Sequence, residues 1–162
     1  MTSFLYRAPS GVAGDVTRPD DTVVESALIN SAKAPTAFGV PVKLTAGKIE
    51  IIEAGDDAAD LFGVLSRVAP AINGSLVETF GSGTPNVEQV QGVVVEGYVN
   101  VKCTVGTPVR NGVVYMRVVA DTGKAIGDLE ATSDTTNSVA LSGVTWSVDG
   151  KDSSNVTEIR IK

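Results

Sequence analysis

The sequence contains no histidine and only one cysteine, Cys103, and these absences remove whole classes of chemistry. Without histidine, a Ser–His–Asp triad, a histidine general base and a histidine-ligated zinc ion are excluded. With one cysteine, an internal disulfide, a CxxC redox pair and a four-cysteine zinc site are excluded as well. Aromatic residues make up 5% of the chain, which is few for a sugar-binding surface built from stacked rings.

Long hydrophobic runs and excess positive charge are also lacking. No window approaches the ~18 uninterrupted apolar residues of a membrane-spanning helix, so no contact with a membrane is predicted. Residues 1–14 contain an arginine, two glycines and a proline instead of the apolar core of a secretory signal. Lysine and arginine total 13 against 19 acidic residues, a net charge of -6 that disfavours nucleic acid as a partner.

The residues that are abundant favour β-structure. The 162 residues include 26 valines and 15 threonines but only 8 leucines, and β-branched side chains pack well on a pleated sheet. Glycine (17) and proline (7) recur at turn positions between short apolar runs. We therefore predict an all-β fold with one body, a β-barrel or a jelly-roll-like sandwich.

The clearest predicted strand covers residues 93–105, where apolar odd-numbered positions alternate with mostly polar even-numbered ones. Gly97 predicts a bend or bulge near its middle. A hairpin is predicted over 38–53, with Pro41 indicating an edge strand, and residues 56–60 are predicted to form one helical turn. Further strands are expected at 22–29, which is ambiguous, and at 62–68, 113–119, 125–131, 138–141, 144–148 and 156–161.

Residues 1–21 differ from the body predicted at 22–162, because closely spaced glycines and prolines there oppose a helix or a central strand. This segment is interpreted as an extended arm, with a frayed terminus as the alternative. An apolar tip favours docking on another subunit. The contact candidates are Phe4, Leu5, Tyr6, Arg7 and Arg18 on the arm and, on the polar face of the long strand, Tyr98.

The sequence contains no positive sign of catalysis. The glycine-rich stretches at 81–83 and 122–124 lack the flanking residues of nucleotide-binding loops. Asp56, Asp57 and Asp60 are interpreted as a solvated acidic turn, with a weak calcium site as the alternative. Two distant carboxylates could still meet in space, so a glycosidase pair stays open. No catalytic residue, cofactor or metal ligand is predicted.

Five short motifs follow one another between residues 38 and 161. They are FGVPVKL at 38–44, FGVLSRVAP at 62–70, GYVNV at 97–101, VVYMR at 113–117 and VTEIRI at 156–161. In this order they resemble the motifs of tailed-bacteriophage capsid cement proteins, also called decoration proteins. The resemblance covers most of the chain but matches the N-terminal arm less clearly.

The resemblance implies a non-enzymatic structural protein with a β-barrel or jelly-roll-like body. Such proteins form homo-oligomers, either dimers or trimers, and bind the outside of the expanded shell, where they clamp neighbouring copies of the major capsid protein. It also implies a place on the outer surface of the virion after assembly in the bacterial cytoplasm. The alternatives are a carbohydrate- or cell-surface-binding β-sandwich of a fibre or adhesin and, less favoured, an enzyme that uses carboxylates or a serine.

Overall fold

The computed structural model of the chain describes residues 11–67 and 83–162, and these residues form an all-β structure. Two 3-10 turns, Pro19–Asp21 and Ser31–Lys33, are the only helical elements within the described ranges. The strands are β1 (Val23–Ile29), β2 (Pro41–Thr45), β3 (Lys48–Ile51), β4 (Gly63–Leu65), β5 (Val90–Val105), β6 (Val113–Arg117), β7 (Leu129–Glu130), β8 (Ser138–Trp146) and β9 (Val156–Ile161). None of the described helical segments is long and apolar enough to cross a bilayer.

The strands close into two circuits that share the long strand β5. In the first barrel the hydrogen-bonded order is β1–β3–β2–β4–β5 and back to β1. In the second barrel the order is β5–β7–β6–β8–β9 and back to β5. Only the β1–β3 and β5–β7 pairings are parallel among these described strands. The predicted all-β barrel body is confirmed, and its barrels are fused along one strand.

Each barrel has its own cluster of buried apolar side chains. The first core consists of Ile29, Phe38, Val42, Ile49, Leu65 and Val93. The second core is larger and contains Trp146, Met116 and Ile159, together with the buried Cys103. Burying a side chain of this size stabilises the fold by roughly 1.5–3 kcal/mol. Burial of apolar side chains therefore stabilises both barrels.

Side chains of strand β5 enter both cores, because the alternation of its inward- and outward-facing side chains shifts by one residue near the middle of the strand. Val93 belongs to the first core, whereas Val94 and Val99 both belong to the second. The pairing with β1 skips one residue, since Val23 faces Glu96 while the next residue faces Val94. The bend or bulge predicted near Gly97 is therefore confirmed. The prediction that all odd-numbered positions of 93–105 share one face is wrong.

Gly97 makes this change of phase sterically feasible. Its φ of 111° lies in the region that favours glycine. A Cβ atom at this position would lie 2.4 Å from both the Asp21 carbonyl oxygen and the Thr22 hydroxyl. Thr22 Oγ1 also accepts a 3.1 Å hydrogen bond from the amide of Tyr98, so the segment before β1 is held tightly against the bulge.

The predicted hairpin is confirmed as β2 and β3, which pair in antiparallel register with Thr45 opposite Lys48. The expectation that Pro41 marks an edge strand is wrong, because β2 lies between β3 and β4. Pro41 is the first residue of β2, where a missing amide hydrogen is tolerated within a sheet.

Three further elements differ from the sequence-based expectations. Residues 56–60 form hydrogen-bonded turns instead of a helical turn, with the Asp60 carboxylate accepting from the Asp57 amide at 2.8 Å. The two strands expected at 138–141 and 144–148 form the single strand β8, which passes through Gly143 at a φ of 77°. The strand expected at 125–131 is reduced to the two residues of β7.

The described part of the N-terminal segment lies along β5. The Gly14 amide donates to the Asn100 carbonyl at 2.7 Å, and the Asn100 amide donates to the Asp15 carbonyl at 2.9 Å. The Thr17 amide continues this ladder to the Tyr98 carbonyl at 3.3 Å. This pairing brings Arg18 to the surface of the second barrel. Residues 1–10 lie outside the described residues, and the division between an arm at 1–21 and a body at 22–162 stays a prediction.

Candidate interface site

A row of side chains crosses the outer face of the second barrel. Tyr98 on β5 is directly opposite Arg160 on β9, and Arg160 is directly opposite Thr145 on β8. Directly opposed residues of neighbouring strands point to the same side of a sheet. The next positions along these strands include Val99 and Ile159, which are buried in the second core. The row is therefore on the outward face, and the strand ladder fixes its spacing.

Tyr98 is half-buried and lies between two arginines. The guanidinium carbons of Arg18 and Arg160 lie over its ring, 3.8 and 5.5 Å from the ring centroid. A cation over an aromatic face contributes about 0.5–1 kcal/mol at an exposed site. The ring and the two guanidinium groups thus form a preorganised cluster. This cluster and Glu158 are together called the Tyr98 patch.

Glu158 orients Arg18 within the Tyr98 patch. Its Oε2 atom lies 3.1 Å from Arg18 Nη2, and its side chain is only 11% exposed. The hydroxyl groups of Thr17 and Ser147 also donate to this carboxylate. Glu158 is directly opposite Asn100 in the next row of the same face. The carboxylate is therefore satisfied within the chain and serves to position the guanidinium above Tyr98.

The structure brings together the two described residues among the predicted contact candidates. Arg18 and Tyr98 touch each other, although they were selected from different segments of the chain. The remaining candidates, Phe4, Leu5, Tyr6 and Arg7, lie outside the described residues. Sequence reasoning missed Arg160 and Glu158, for which it predicted only a place in the strand at 156–161. Contact of any of the six candidates with another subunit stays a prediction.

The charged cluster beside the β2–β3 hairpin stabilises the first barrel. Lys43 Nζ lies 2.8 Å from Asp56 and 3.1 Å from Glu53, and Lys33 Nζ lies 2.7 Å from Glu53. Hydrogen bonds from Lys33 and then Lys43 lower the pKa of Glu53. Partial burial acts to raise the pKa of Asp56, but Lys43 and the Glu53 amide together hold it below its ordinary value. Both carboxylates are thus kept ionised, unlike a general acid, whose pKa must be raised.

Asp57 and Asp60, the other acidic residues of this region, accept hydrogen bonds from backbone amides of their own turns. In the described part of the chain, no three histidine, cysteine, aspartate or glutamate side chains come together as a metal site requires. Asp57 and Asp60 are exposed, as a solvated acidic turn predicts, whereas Asp56 is paired with Lys43.

Arg117, the arginine of the VVYMR motif, is completely buried in the second barrel. Its Nε atom lies 2.6 Å from the carboxylate of Glu130, which is 1% exposed, and its Nη2 atom lies 3.1 Å from Asp134. Hydrogen bonds from Asn137, and also from Arg117, lower the pKa of Asp134. Because β6 carries Arg117 and β7 carries Glu130, this ion pair fastens two strands of the barrel. The motif arginine is thus a structural residue and does not belong to the surface site.

A cavity of about 840 Å³ lies between the barrels, bordered by residues 38–41 of the first and 125–129 of the second. Two of the polar groups that line it bind the backbone: the Thr104 hydroxyl donates to the Leu129 carbonyl at 3.2 Å, and the Asp128 carboxylate accepts from the Ala125 amide at 2.9 Å. Burial raises the pKa of the Cys103 thiol, which donates to the Val105 carbonyl at 3.3 Å. The single cysteine is therefore not an activated nucleophile.

The architecture is shared with a protein of a phage particle. A chain in the solved capsid of Myoviridae phage XM1 matches with a TM-score of 0.69 and 20% sequence identity, over 99% of this chain and 95% of that one. The two chains therefore have the same fold. No curated protein matches the sequence.

The sequence itself identifies the family. Residues 1–161 match the family model described as XM1 gp53 minor capsid protein, and the chain belongs to this family. It is a bacteriophage structural protein that associates with the capsid in the virion. The predicted kinship with phage capsid-associated proteins is thereby confirmed.

Proposed function

We propose that this protein binds the exterior of the expanded phage capsid and cements neighbouring copies of the major capsid protein. The observation that carries the proposal is the match of nearly the whole chain, residues 1–161, to a minor capsid protein family. A protein that binds only the assembled shell stabilises that shell by mass action, and many copies together resist the pressure of packaged DNA. We further propose that it is not an enzyme.

The charge of the molecule supports a position on the outside of the shell. A net charge of -6 opposes close approach to packaged DNA on the inner side. The Tyr98 patch supplies the tyrosine and arginine side chains that are enriched where proteins meet. Since strands β5 and β9 hold Tyr98 and Arg160 in place, little side-chain conformational freedom is lost when a partner binds.

The N-terminal residues extend the proposed contact beyond the barrels. Pairing of residues 14–17 with β5 anchors the chain, and Gly11 lies beside Asn100 at the edge of the described structure. Ten preceding residues can span at most ~33–36 Å, so contacts made by them can lie well outside the two barrels. Phe4, Leu5, Tyr6 and Arg7 are the proposed contacts, and a dimer or trimer is the proposed assembly.

The carbohydrate-binding alternative gains no support from the described residues. It predicts an exposed platform of aromatic rings, whereas Phe38 and Trp146 are buried and Phe62, Tyr98 and Tyr115 are only partly accessible. The structure favours a protein contact at Tyr98, where both flanking groups are guanidiniums.

Co-sedimentation with empty expanded capsids of the source phage tests the proposed function. The full-length protein should saturate at a fixed number of copies per major capsid subunit, and that number identifies the symmetry position. A variant that lacks residues 1–10 should keep its thermal unfolding midpoint but bind more weakly, because residues 14–17 still anchor the body. Absence of binding by the full-length protein, at concentrations well above those of assembly, would refute the proposal.

A further inference from the structure

Three of the six arginines of the chain converge on one small surface cavity beside the Tyr98 patch. Arg18, Arg110 and Arg160 line it together with Tyr98, and its volume is about 60 Å³. A water molecule occupies about 30 Å³ in the liquid, so the cavity has room for a group of about two waters in size. A carboxylate is a group of that size.

The cavity is built on fixed backbone. Thr145 and Arg160 occupy paired positions on β8 and β9, while Arg110 precedes β6. The amide of Arg110 donates to Asp149 at 2.8 Å, and the next amide, that of Asn111, donates to the Trp146 carbonyl at 2.7 Å. These two bonds tie the Arg110 loop to the rim of the barrel and keep its side chain beside the cavity.

Two of the three positive charges have no acidic partner within the described chain. Arg18 is paired with Glu158, whereas neither Arg110 nor Arg160 forms a salt bridge with any described carboxylate. Both side chains belong to exposed residues of an acidic protein that carries 19 aspartates and glutamates. Guanidinium groups bind carboxylates through paired, charge-assisted hydrogen bonds, so an acidic group from outside would complete the site.

The surroundings favour a protein partner over a nucleic acid. The row Tyr98–Arg160–Thr145 continues onto β6 at Val113, which is directly opposite Thr145 and 46% exposed. Val109, next to Arg110, is 63% exposed. An apolar rim beside charged groups is typical of a protein interface, and the net charge of -6 repels a polyphosphate chain.

We infer that the cavity between Arg110 and Arg160 receives an aspartate or glutamate side chain of the protein that this chain binds, with Tyr98 and the two valines in contact around it. This inference rests on the proposed function only for the identity of the partner, which is the major capsid protein. Arg18 and Glu158 are positioning residues for the Tyr98 ring, whereas Arg110 and Arg160 contact the incoming carboxylate.

The test compares two variants with the same change of charge. Arg110→Gln/Arg160→Gln removes both guanidiniums that lack an acidic partner, and Lys48→Gln/Lys124→Gln removes two lysines that do not line the cavity. All four side chains are on the surface, and equal thermal midpoints would show that both variants fold. A hydrogen bond to a charged group is worth about 10- to 100-fold in affinity, so the arginine variant should bind expanded capsids at least ~10-fold more weakly than the lysine control.

Two further experiments, with hexaglutamate and with single-stranded DNA, identify the chemistry of the ligand. Hexaglutamate should compete with capsids for the wild-type protein, and it should shift the Arg110 and Arg160 Nε–H resonances in NMR spectra. Single-stranded DNA should do neither. Equal capsid binding by the two variants, or competition by DNA without competition by hexaglutamate, would overturn the inference and leave capsid binding intact. If the wild-type protein fails to bind capsids, the proposed function fails. The hexaglutamate titration then decides the inference, and unshifted arginine resonances would overturn it.

Discussion

The buried Arg117–Glu130 pair allows a quantitative test of how the second barrel is held together. Replacing Glu130 by leucine removes an acceptor 2.6 Å from a guanidinium whose side chain is 0% exposed. Breaking a buried ion pair costs about 3–5 kcal/mol, because one charge stays buried without compensation. Arg117 would retain Asp134 at 3.1 Å and the Val119 carbonyl at 3.3 Å, so we expect the lower limit, about 3 kcal/mol.

A double-mutant cycle separates this effect from ordinary packing. Arg117→Met should also destabilise the protein, because it leaves Glu130 buried without its cation. The double variant Arg117→Met/Glu130→Leu should be within about 1 kcal/mol of the wild type, since an apolar replacement of both partners leaves no unpaired charge between them. The expected coupling free energy is about 3 kcal/mol or more.

Urea unfolding followed by circular dichroism measures these free energies. With a denaturant dependence of about 2 kcal/mol per molar, a loss of 3 kcal/mol lowers the midpoint by about 1.5 M. The reasoning requires the double variant to be more stable than the Glu130 single variant. Additive destabilisation, in which the double variant loses the sum of the two single effects, would refute the claim that the pair acts as a unit.

Two other predictions concern the first barrel and the strand that both barrels share. Gly97→Ala should cost about 2–5 kcal/mol in urea unfolding, since it combines positive-φ strain with overlap at Thr22. Gly123→Ala, at a φ of 73° with nothing within 4 Å, should cost only about 1–2 kcal/mol, and equal effects would contradict the steric argument. Because the folded-state pKa values of Asp56 and Glu53 are lowered, their stabilising contribution is complete above about pH 5 and is lost as pH falls through the folded-state values. Thermal melts between pH 7 and 3 should show a smaller acid-induced loss in Lys43→Gln than in the wild type.

Local sequence patterns predicted most of the strands because alternation and turn residues act over a few positions. The hairpin of β2 and β3 and the strand β9 followed from such patterns. The edge-strand prediction from Pro41 was wrong because the position of β2 in the sheet depends on β4, which comes later in the chain. The shift in the alternation of β5 could not be predicted either, because it depends on the close approach of Asp21 and Thr22 to Gly97.

The candidate site could be predicted only in part for the same reason. Tyr98 was recognisable as an aromatic residue on a polar strand face, and Arg18 as a cation on a proline-rich segment. Their contact, and the placement of Arg160 opposite Tyr98, require the antiparallel register of β5 with β9. That register is set by the packing of Val99 and Ile159 in the second core, which are non-local contacts that no short motif encodes.

The Tyr98 patch lies where the two barrels join, and this location bears on how a capsid contact would be supported. Gly97 begins the pairing of β5 with β9, while the residues before it pair with β1 and β4. A partner that pulls on Tyr98 or Arg160 therefore transmits force to the inter-strand hydrogen bonds of both barrels through the continuous strand β5. Since separating either ladder exposes a hydrophobic core, resistance at the patch comes from the whole body. A shared strand thus suits a protein whose proposed task is to hold subunits together.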